Sequence, residues 1–316
     1  VAVSSGTSAL HLALLSLGIG KGDEVIVPNV TFAASINSII YCNATPVLCE
    51  INRETWCIDC DEIKKLITKK TKAIMPVHLY GQVCDMESIT KLAKDNELMI
   101  IEDCAEAIGS TYKDRPVGIF GDASTFSFFG NKTISTGEGG MVLFRDKEIS
   151  KKAKILRDHG MDPGKRYWHD RVGYNFRLTN IQAAIGVAQM ERLNEIVSRK
   201  ITIAEVYDKN LSNINGISKL PTYYKHICHS NWLYTILLNK KYNRDLIMKK
   251  LLQNGVDTRP VFFPLNEMPP YRNYSHSKKL INSHTLSHFG LSLPSAVTLK
   301  DDDIYFVIKN LISALK

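Results

Sequence analysis

The chain has 316 residues, 44% of them hydrophobic and 23% charged, with a formal net charge of +8. That length suits two domains and a sizeable core, and the composition is that of an ordinary globular protein, which argues against a disordered or fibrous chain. The positive charge is spread along the sequence as lysines, with no dense basic block interleaved with aromatics, which speaks against nucleic acid as a partner and for a cleft that takes a small anion.

The chain opens at residues 1–3 in what reads as a strand already in progress, so residues upstream are expected to be missing. Ser4-Ser5-Gly6-Thr7-Ser8 then feeds an apolar helix over residues 9–17, closed by Gly18, Gly20 and Gly22. A glycine and hydroxyl turn at a helix N-terminus offers free N–H groups and the positive end of the helix dipole to an anion, although Thr7 and Ser8 could equally cap the helix. Glu24–Pro28 reads as a strand, residues 31–41 as a helix with Phe32 near its start, and 46–49 as a strand. A helix over 61–67, a strand over 72–77, a helix over 86–96 and a strand over 98–102 follow, the last running into Asp103.

Apolar runs at 126–129 and 141–144 flank a loop of small and polar residues that holds one lysine, Lys132, with Gly137-Glu138-Gly139-Gly140 closing it. Helix is expected at 148–156, a polar loop at 162–173, and one long helix from 179 to about 210 bridging to a second domain. Beyond it stand strand candidates at 233–238 and 258–263 and helices at Arg244–Gln253 and 301–315. Helices alternating with short apolar strands are the signature of an α/β domain with a mainly parallel sheet. The C-terminal part reads as a small α+β domain, with the boundary at residues 195 and 196. In such sheets ligands collect beyond the carboxyl ends of the strands, where Thr7, Asp103 and the Lys132 loop all fall.

Seven cysteines at irregular spacing in a chain of this size argue against a disulfide framework. Cys57-Ile58-Asp59-Cys60 has the CxxC form, but no second pair stands at metal-binding spacing, so no metal site is read. No apolar run is long enough to span a bilayer and no signal peptide is read, which gives a cytosolic location as the default.

A lysine between buried strands can be desolvated and aimed, as a Schiff-base lysine must be, although a surface lysine in a loop reads the same way. Asp103 follows a buried strand, where a carboxylate either caps a helix or meets a cation. A phosphate cradle, a carboxylate for a protonated ring nitrogen and a loop lysine together describe a pyridoxal phosphate site.

With these residues in place the chain resembles the DegT/DnrJ/EryC1/StrS family of sugar aminotransferases, which have the aspartate aminotransferase fold (fold type I). The resemblance is carried by Ser4–Leu10 with its Ser-Gly-Thr core, Glu102-Asp103-Cys104-Ala105-Glu106-Ala107, Phe126–Lys132 with the following glycines, Gly173-Tyr174-Asn175-Phe176-Arg177, Thr258–Pro264 and Leu293-Pro294-Ser295. It implies that Lys132 binds the cofactor covalently and then shuttles the proton, that Asp103 pairs with the ring nitrogen, and that Thr7, Ser8 and Ser127 hold the phosphate. It implies further that Phe32 stacks on the ring, that Glu106 lies near the ring hydroxyl where relatives often carry glutamine or histidine, and that Asn175 reaches the phosphate of a neighbouring subunit, so that the enzyme is a homodimer.

Arg166–Asp170, Asn254–Pro260 and Met268-Pro269-Pro270-Tyr271 resemble the perosamine synthase branch, although Asn266 stands where relatives often have histidine. That branch aminates C4 of a nucleotide-linked 4-keto-6-deoxy-hexose, which implies L-glutamate as amino donor and GDP as nucleotide, with UDP or dTDP (viosamine) sugars as the alternative. Arg177 and Arg259 are candidates for the substrate diphosphate, since an arginine fork suits phosphate oxygens, and structural ion pairs are the other reading. Two rivals are weighed: dehydratase relatives, which carry histidine in place of the loop lysine, and a non-catalytic binding or regulatory protein, against which Lys132, Asp103 and Ser127 together argue.

Overall fold

Short apolar strands alternating with helices build the first two thirds of the protein, described here from a computed structural model that covers residues 1–274 and 280–316. In chain order this part contains β1 (Ala2–Val3), α1 (Gly6–Ser16), β2 (Glu24–Pro28), α2 (Ala33–Tyr41), β3 (Thr45–Cys49), α3 (Cys60–Leu66), β4 (Thr71–Ile74) and α4 (Met86–Asp95). It continues with β5 (Met99–Asp103), β6 (Thr111–Tyr112), β7 (Arg115–Pro116), β8 (Ala123–Ser127), β9 (Gly140–Phe144), α5 (Lys147–Arg157), α6 (Asn180–Glu191) and α7 (Leu193–Leu211). The remainder supplies β10 (Ile217–Lys219), β11 (Ile227–Cys228), β12 (Tyr234–Leu238), α8 (Arg244–Gln253), β13 (Arg259–Pro260), α9 (Ile281–Phe289), β14 (Gly290–Leu293) and α10 (Asp301–Ala314).

The central sheet has seven strands in the order β1-β9-β8-β5-β4-β2-β3. It is parallel from β3 through β8, while β9 runs antiparallel to both of its neighbours. Strand alternation divides its side chains between two cores. Val25 and Val27 face a layer with α1, α2 and α5, whereas Ile26 faces the layer of α3 and α4. Helix α1 is buried at Ala9 through Leu14, as a helix apolar on nearly all sides must be. The expected β-α alternation is therefore present, and with it the mainly parallel sheet.

A second sheet, β10-β12-β14-β13, is antiparallel and packs with α7, α8 and α10 around Tyr207, Tyr234, Leu251, Leu291 and Leu311. A small sheet of β11, β6 and β7 joins the two regions. Glu50, buried at the end of β3, ties them more firmly: its carboxylate accepts from the N–H groups of Asn282 and Ser283 and from the Ser283 hydroxyl at the start of α9. Among the described residues no helix is long and apolar enough to cross a membrane.

Several sequence expectations need correction. The helix expected from 179 to about 210 is two helices, broken at Arg192, whose ψ of 4° ends α6. No proline or glycine marks the break, so the periodicity runs through it. The strand expected at 258–263 shrinks to Arg259–Pro260, since proline has no N–H to continue a ladder. Helix α9 and strand β14 were not anticipated; serines and histidines interrupt their apolar residues, although all four residues of β14 are buried.

Candidate active site

The carboxyl ends of the strands converge on a cavity of about 360 Å³ whose walls include Thr7, Phe32, Asp103, Glu106, Ser127 and Lys132. Ser5 caps α1, accepting the Ser8 N–H at 3.0 Å, and leaves the N–H groups of Gly6 and Thr7 without helical acceptors, as at any helix start. Gly6 lies so close to the end of β8 that a Cβ on it would stand 2.8 Å from Ser127 Cβ. The glycine is what lets the helix start approach Ser127 and shape a shallow cradle with Ser5 and Thr7. Ser8, expected in this cradle, is turned away: its hydroxyl lies 3.1 Å from that of Ser4 and 3.0 Å from that of Ser5, and it does not line the cavity. One residue along a helix rotates a side chain by about 100°, which separates Ser8 from Thr7.

Glu102 and Asp103 end β5 and point to opposite faces of the sheet. Glu102 is engaged by the His78 ring at 3.2 Å and by the N–H groups of Gly118, Phe120 and Gly121. Burial pushes its carboxyl up, yet these donors outweigh it and hold Glu102 below the ordinary range. Asp103 looks into the cavity. It accepts from the Ser35 hydroxyl at 2.8 Å and the Ala105 N–H at 3.2 Å, and no salt bridge reaches it among the described residues. Burial pushes its carboxyl up. A buried carboxylate with spare acceptor capacity and no cation of its own is suited to a protonated ring nitrogen.

The loop after β8 is folded on itself. Phe128 accepts the Thr136 N–H and donates its own to Gly139, and the Lys132 N–H meets the Phe129 carbonyl at 2.9 Å. Gly139, at φ +159°, sits where a Cβ would lie 2.3 Å from Thr136 Oγ1. Lys132 is aimed inward with its side chain 12% exposed, and its Nζ stands 3.6 Å from Glu106 Oε1. Burial raises the Glu106 carboxyl, and Lys132 and the Tyr80 N–H, at 3.0 Å, pull it back. Tyr80 holds this position from a left-handed backbone (φ 57°, ψ 14°), an uncommon state for a bulky residue, immediately before Gly81.

Sequence reading missed the aromatic wall. Trp232 is buried and places its ring 3.9 Å from Lys132 Nζ, and Tyr80 and Phe262 continue the wall to Phe32. Trp232 comes from the segment before β12, one hundred residues beyond the lysine, and carries no motif. Phe32 is 58% exposed and lines the cavity from the start of α2.

Arg259 lines the cavity, but Asn175 and Arg177 do not. Both are exposed, and Arg177 donates to Asn175 Oδ1 at 3.1 Å and lies 3.2 Å from Asp158. Asn266 exchanges hydrogen bonds with Asn29, its side-chain oxygen accepting from Asn29 Nδ2 at 2.9 Å. The donor set fits pyridoxal phosphate: hydroxyls and N–H groups at a helix start for a phosphate, Asp103 for a ring nitrogen, and the Lys132 amine for an aldehyde.

Comparison with known proteins agrees with this donor set. The profile of the DegT/DnrJ/EryC1/StrS aminotransferase family matches residues 1–312. The chain is 47% identical to the GDP-perosamine synthase of Escherichia coli over 98% of its own length and 84% of the relative, and 46% identical to that of Caulobacter vibrioides over 98% and 83%. Among solved structures, DesV of S. venezuelae superposes with a TM-score of 0.94 at 33% identity, covering 100% of this chain and 84% of that one. The PLP form of Spr1654 from Streptococcus pneumoniae gives 0.94 at 29%, covering 100% and 86%. The chain thus belongs to the DegT/DnrJ/EryC1/StrS aminotransferase family and is a pyridoxal phosphate-dependent sugar aminotransferase of the fold that these relatives share.

Proposed function

We propose that this enzyme moves the amino group of L-glutamate to C4 of a nucleotide-linked 4-keto-6-deoxy-hexose, with GDP as the nucleotide and GDP-perosamine as the product. The observation that carries this reading is identity of 46–47% to three GDP-perosamine synthases, over 96–98% of this chain and 82–84% of each relative. The cavity chemistry independently supports its cofactor part, a pyridoxal phosphate site at Lys132 and Asp103.

Pyridoxal phosphate, when bound, supplies an electron sink and a carrier for the amino group. Lys132 Nζ would attach it and, once released, hold and move the proton at the reacting carbon. Asp103 would keep a proton on the ring nitrogen, and the Gly6 and Thr7 N–H groups with the hydroxyls of Thr7, Ser5 and Ser127 would hold the phosphate. Phe32 would cover one face of the ring, and Glu106 would orient Lys132 while meeting the ring hydroxyl. Arg259 is the better placed of the two arginines for the substrate diphosphate, since Arg177 is engaged with Asp158 and Asn175.

The same proposal takes the active unit as a homodimer with Asn175 reaching the phosphate of the other subunit's site. Helix α6 supports it: none of its residues is buried, and Ile181, Val187 and Met190, spread around the helix, are all more than half exposed, apolar surface of the kind that a second copy covers. Asn175→Ala is expected to weaken cofactor retention about tenfold, the cost of one charge-assisted hydrogen bond, measured by dialysis against decreasing cofactor. Unchanged affinity would remove the case for a shared site. The division into a cofactor domain and a C-terminal domain near residue 195 belongs to the same reading, supported by the separate apolar core that runs from Ile203 to Leu315.

The substrate is tested by offering GDP-, UDP- and dTDP-4-keto-6-deoxy sugars side by side with glutamate. The GDP sugar is expected to lead by at least about tenfold in kcat/KM. A lead by the UDP or dTDP sugar would favour a viosamine-type product, and no turnover of any would sink the reading.

A further inference from the structure

We propose that Trp232 is a positioning residue for Lys132: its indole face is the seat on which the lysine nitrogen rests when it is not bonded to cofactor, and from which it acts on the reacting carbon. The inference rests on the reading of Lys132 as the cofactor's lysine. Lys132 Nζ stands 3.9 Å from the ring centroid, well inside the range at which an ammonium is attracted to an aromatic face. Glu106 Oε1 lies 3.6 Å from the same nitrogen, so a carboxyl and a π face both hold it.

The seat is itself fixed at several points. The indole N–H donates to the carbonyl of Asn131, the residue next to Lys132, at 2.8 Å. The Trp232 carbonyl accepts from Lys200 Nζ at 3.0 Å, and the same Nζ donates to the Ser295 carbonyl at 3.0 Å. Asn231, held at φ 51°, donates its N–H to His229 Nδ1 just before the tryptophan. Lys200 is 8% exposed, and burial lowers its ammonium to about 8. A buried cation that meets only carbonyls is a costly way to fill a core, and the segment it holds is the one that carries Trp232.

The pair also stands between two spaces. A wider cavity of about 770 Å³ lies against the C-terminal strands, and Lys132 and Trp232 line both it and the smaller cavity. A lysine that alternates between attachment and proton transfer must return its nitrogen to one place, and a four-carbon stem has many others to visit. The indole face removes that choice.

The test uses Trp232→Leu, which keeps an apolar side chain without the π face, and Trp232→Phe, which keeps a face without the indole N–H. In cofactor-free protein the Lys132 amine is labelled with trinitrobenzenesulfonate and followed by peptide mass spectrometry, with other lysines as internal controls and thermal melting as the check on folding. Labelling of Lys132 is expected to rise about tenfold in Trp232→Leu and to return to within about threefold of wild type in Trp232→Phe. In the loaded enzyme kcat should fall about tenfold in Trp232→Leu with KM for both substrates held within about twofold, since the seat acts on Lys132 and not on binding. Wild-type labelling in a folded Trp232→Leu protein, or no recovery in Trp232→Phe, would overturn the proposal. The labelling needs neither cofactor nor sugar, so it separates this failure from failure of the aminotransferase reading, in which wild type itself would not transfer.

Discussion

Lys132→Ala is expected to lose transfer by about a thousandfold or more, the scale of a general acid–base group that is also the attachment point. Borohydride treatment of cofactor-loaded wild type should fix the cofactor's mass to the peptide containing Lys132, and the alanine variant should show no such adduct. The geometry sets the size of the effect. The described lining of the smaller cavity contains one other cation, Arg259, which is not a nucleophile, and the amine that lines the wider cavity beside it, Lys200, is held by the carbonyls of Trp232 and Ser295. The fold should survive, because the loop is closed by backbone hydrogen bonds from Phe128, Phe129, Thr136 and Gly139 and not by the lysine side chain. Retention of measurable covalent loading in Lys132→Ala would remove the central assignment.

Asp103→Asn is expected to separate activity from stability. Transfer should fall by about a hundredfold or more, because an amide cannot hold a proton on a ring nitrogen as a carboxylate does. Cofactor-free protein should change the other way. Burial raises the folded-state value of the Asp103 carboxyl above its unfolded value of about 3.9. The folded chain therefore binds this proton more readily than the unfolded chain, and stability falls as pH rises from that unfolded value through the raised folded one. Above this window the carboxylate is a net cost, and asparagine removes it. The variant should then melt about 2–4 °C higher than wild type at neutral pH, and the two should converge in acid. Ser35 can keep its contact by accepting in place of donating, since a hydroxyl does either. A lower melting point at neutral pH would mean that the carboxylate is stabilised in the empty site by groups other than Ser35 and Ala105.

Lys132, Asp103 and Thr7 stood out in the sequence because each is a polar group in a loop between buried strands, at the end of an apolar strand or at the start of a helix, whereas Ser127 reads as part of an apolar strand and came only with the family resemblance. Trp232 was not legible. It belongs to a buried apolar run, and only the chain's return over one hundred residues brings it to Lys132. Ser8 lies outside the cavity lining while Thr7 lies within it, a distinction that a run of hydroxyls does not show, because the helix start at Gly6 decides which of them face the cavity. The strands β2 and β5 and their alternation with helices read directly from sequence, whereas the break at Arg192 does not, since nothing local opposes helix there. Tyr80 is the reverse of a legible residue: its left-handed backbone is a local cost that the tertiary contacts of Glu106 and Phe262 maintain.

Glu50 has a bearing on how substrate reaches the site. Its carboxylate is buried and takes three donors from the start of α9, 232 and 233 positions away in the chain. Separating the two sheets would break all three of these charge-assisted bonds and leave the carboxylate with the N–H of Ile51 alone, at a cost of about 1.5–3 kcal/mol for each bond before any core contact is lost. Opening by rotation of one half against the other is thus a rare event, and the Asn282 and Ser283 amides should be among the last to exchange with deuterated solvent. Traffic through the cavity must then be governed by side chains at its mouth, moving against a frame that stays shut.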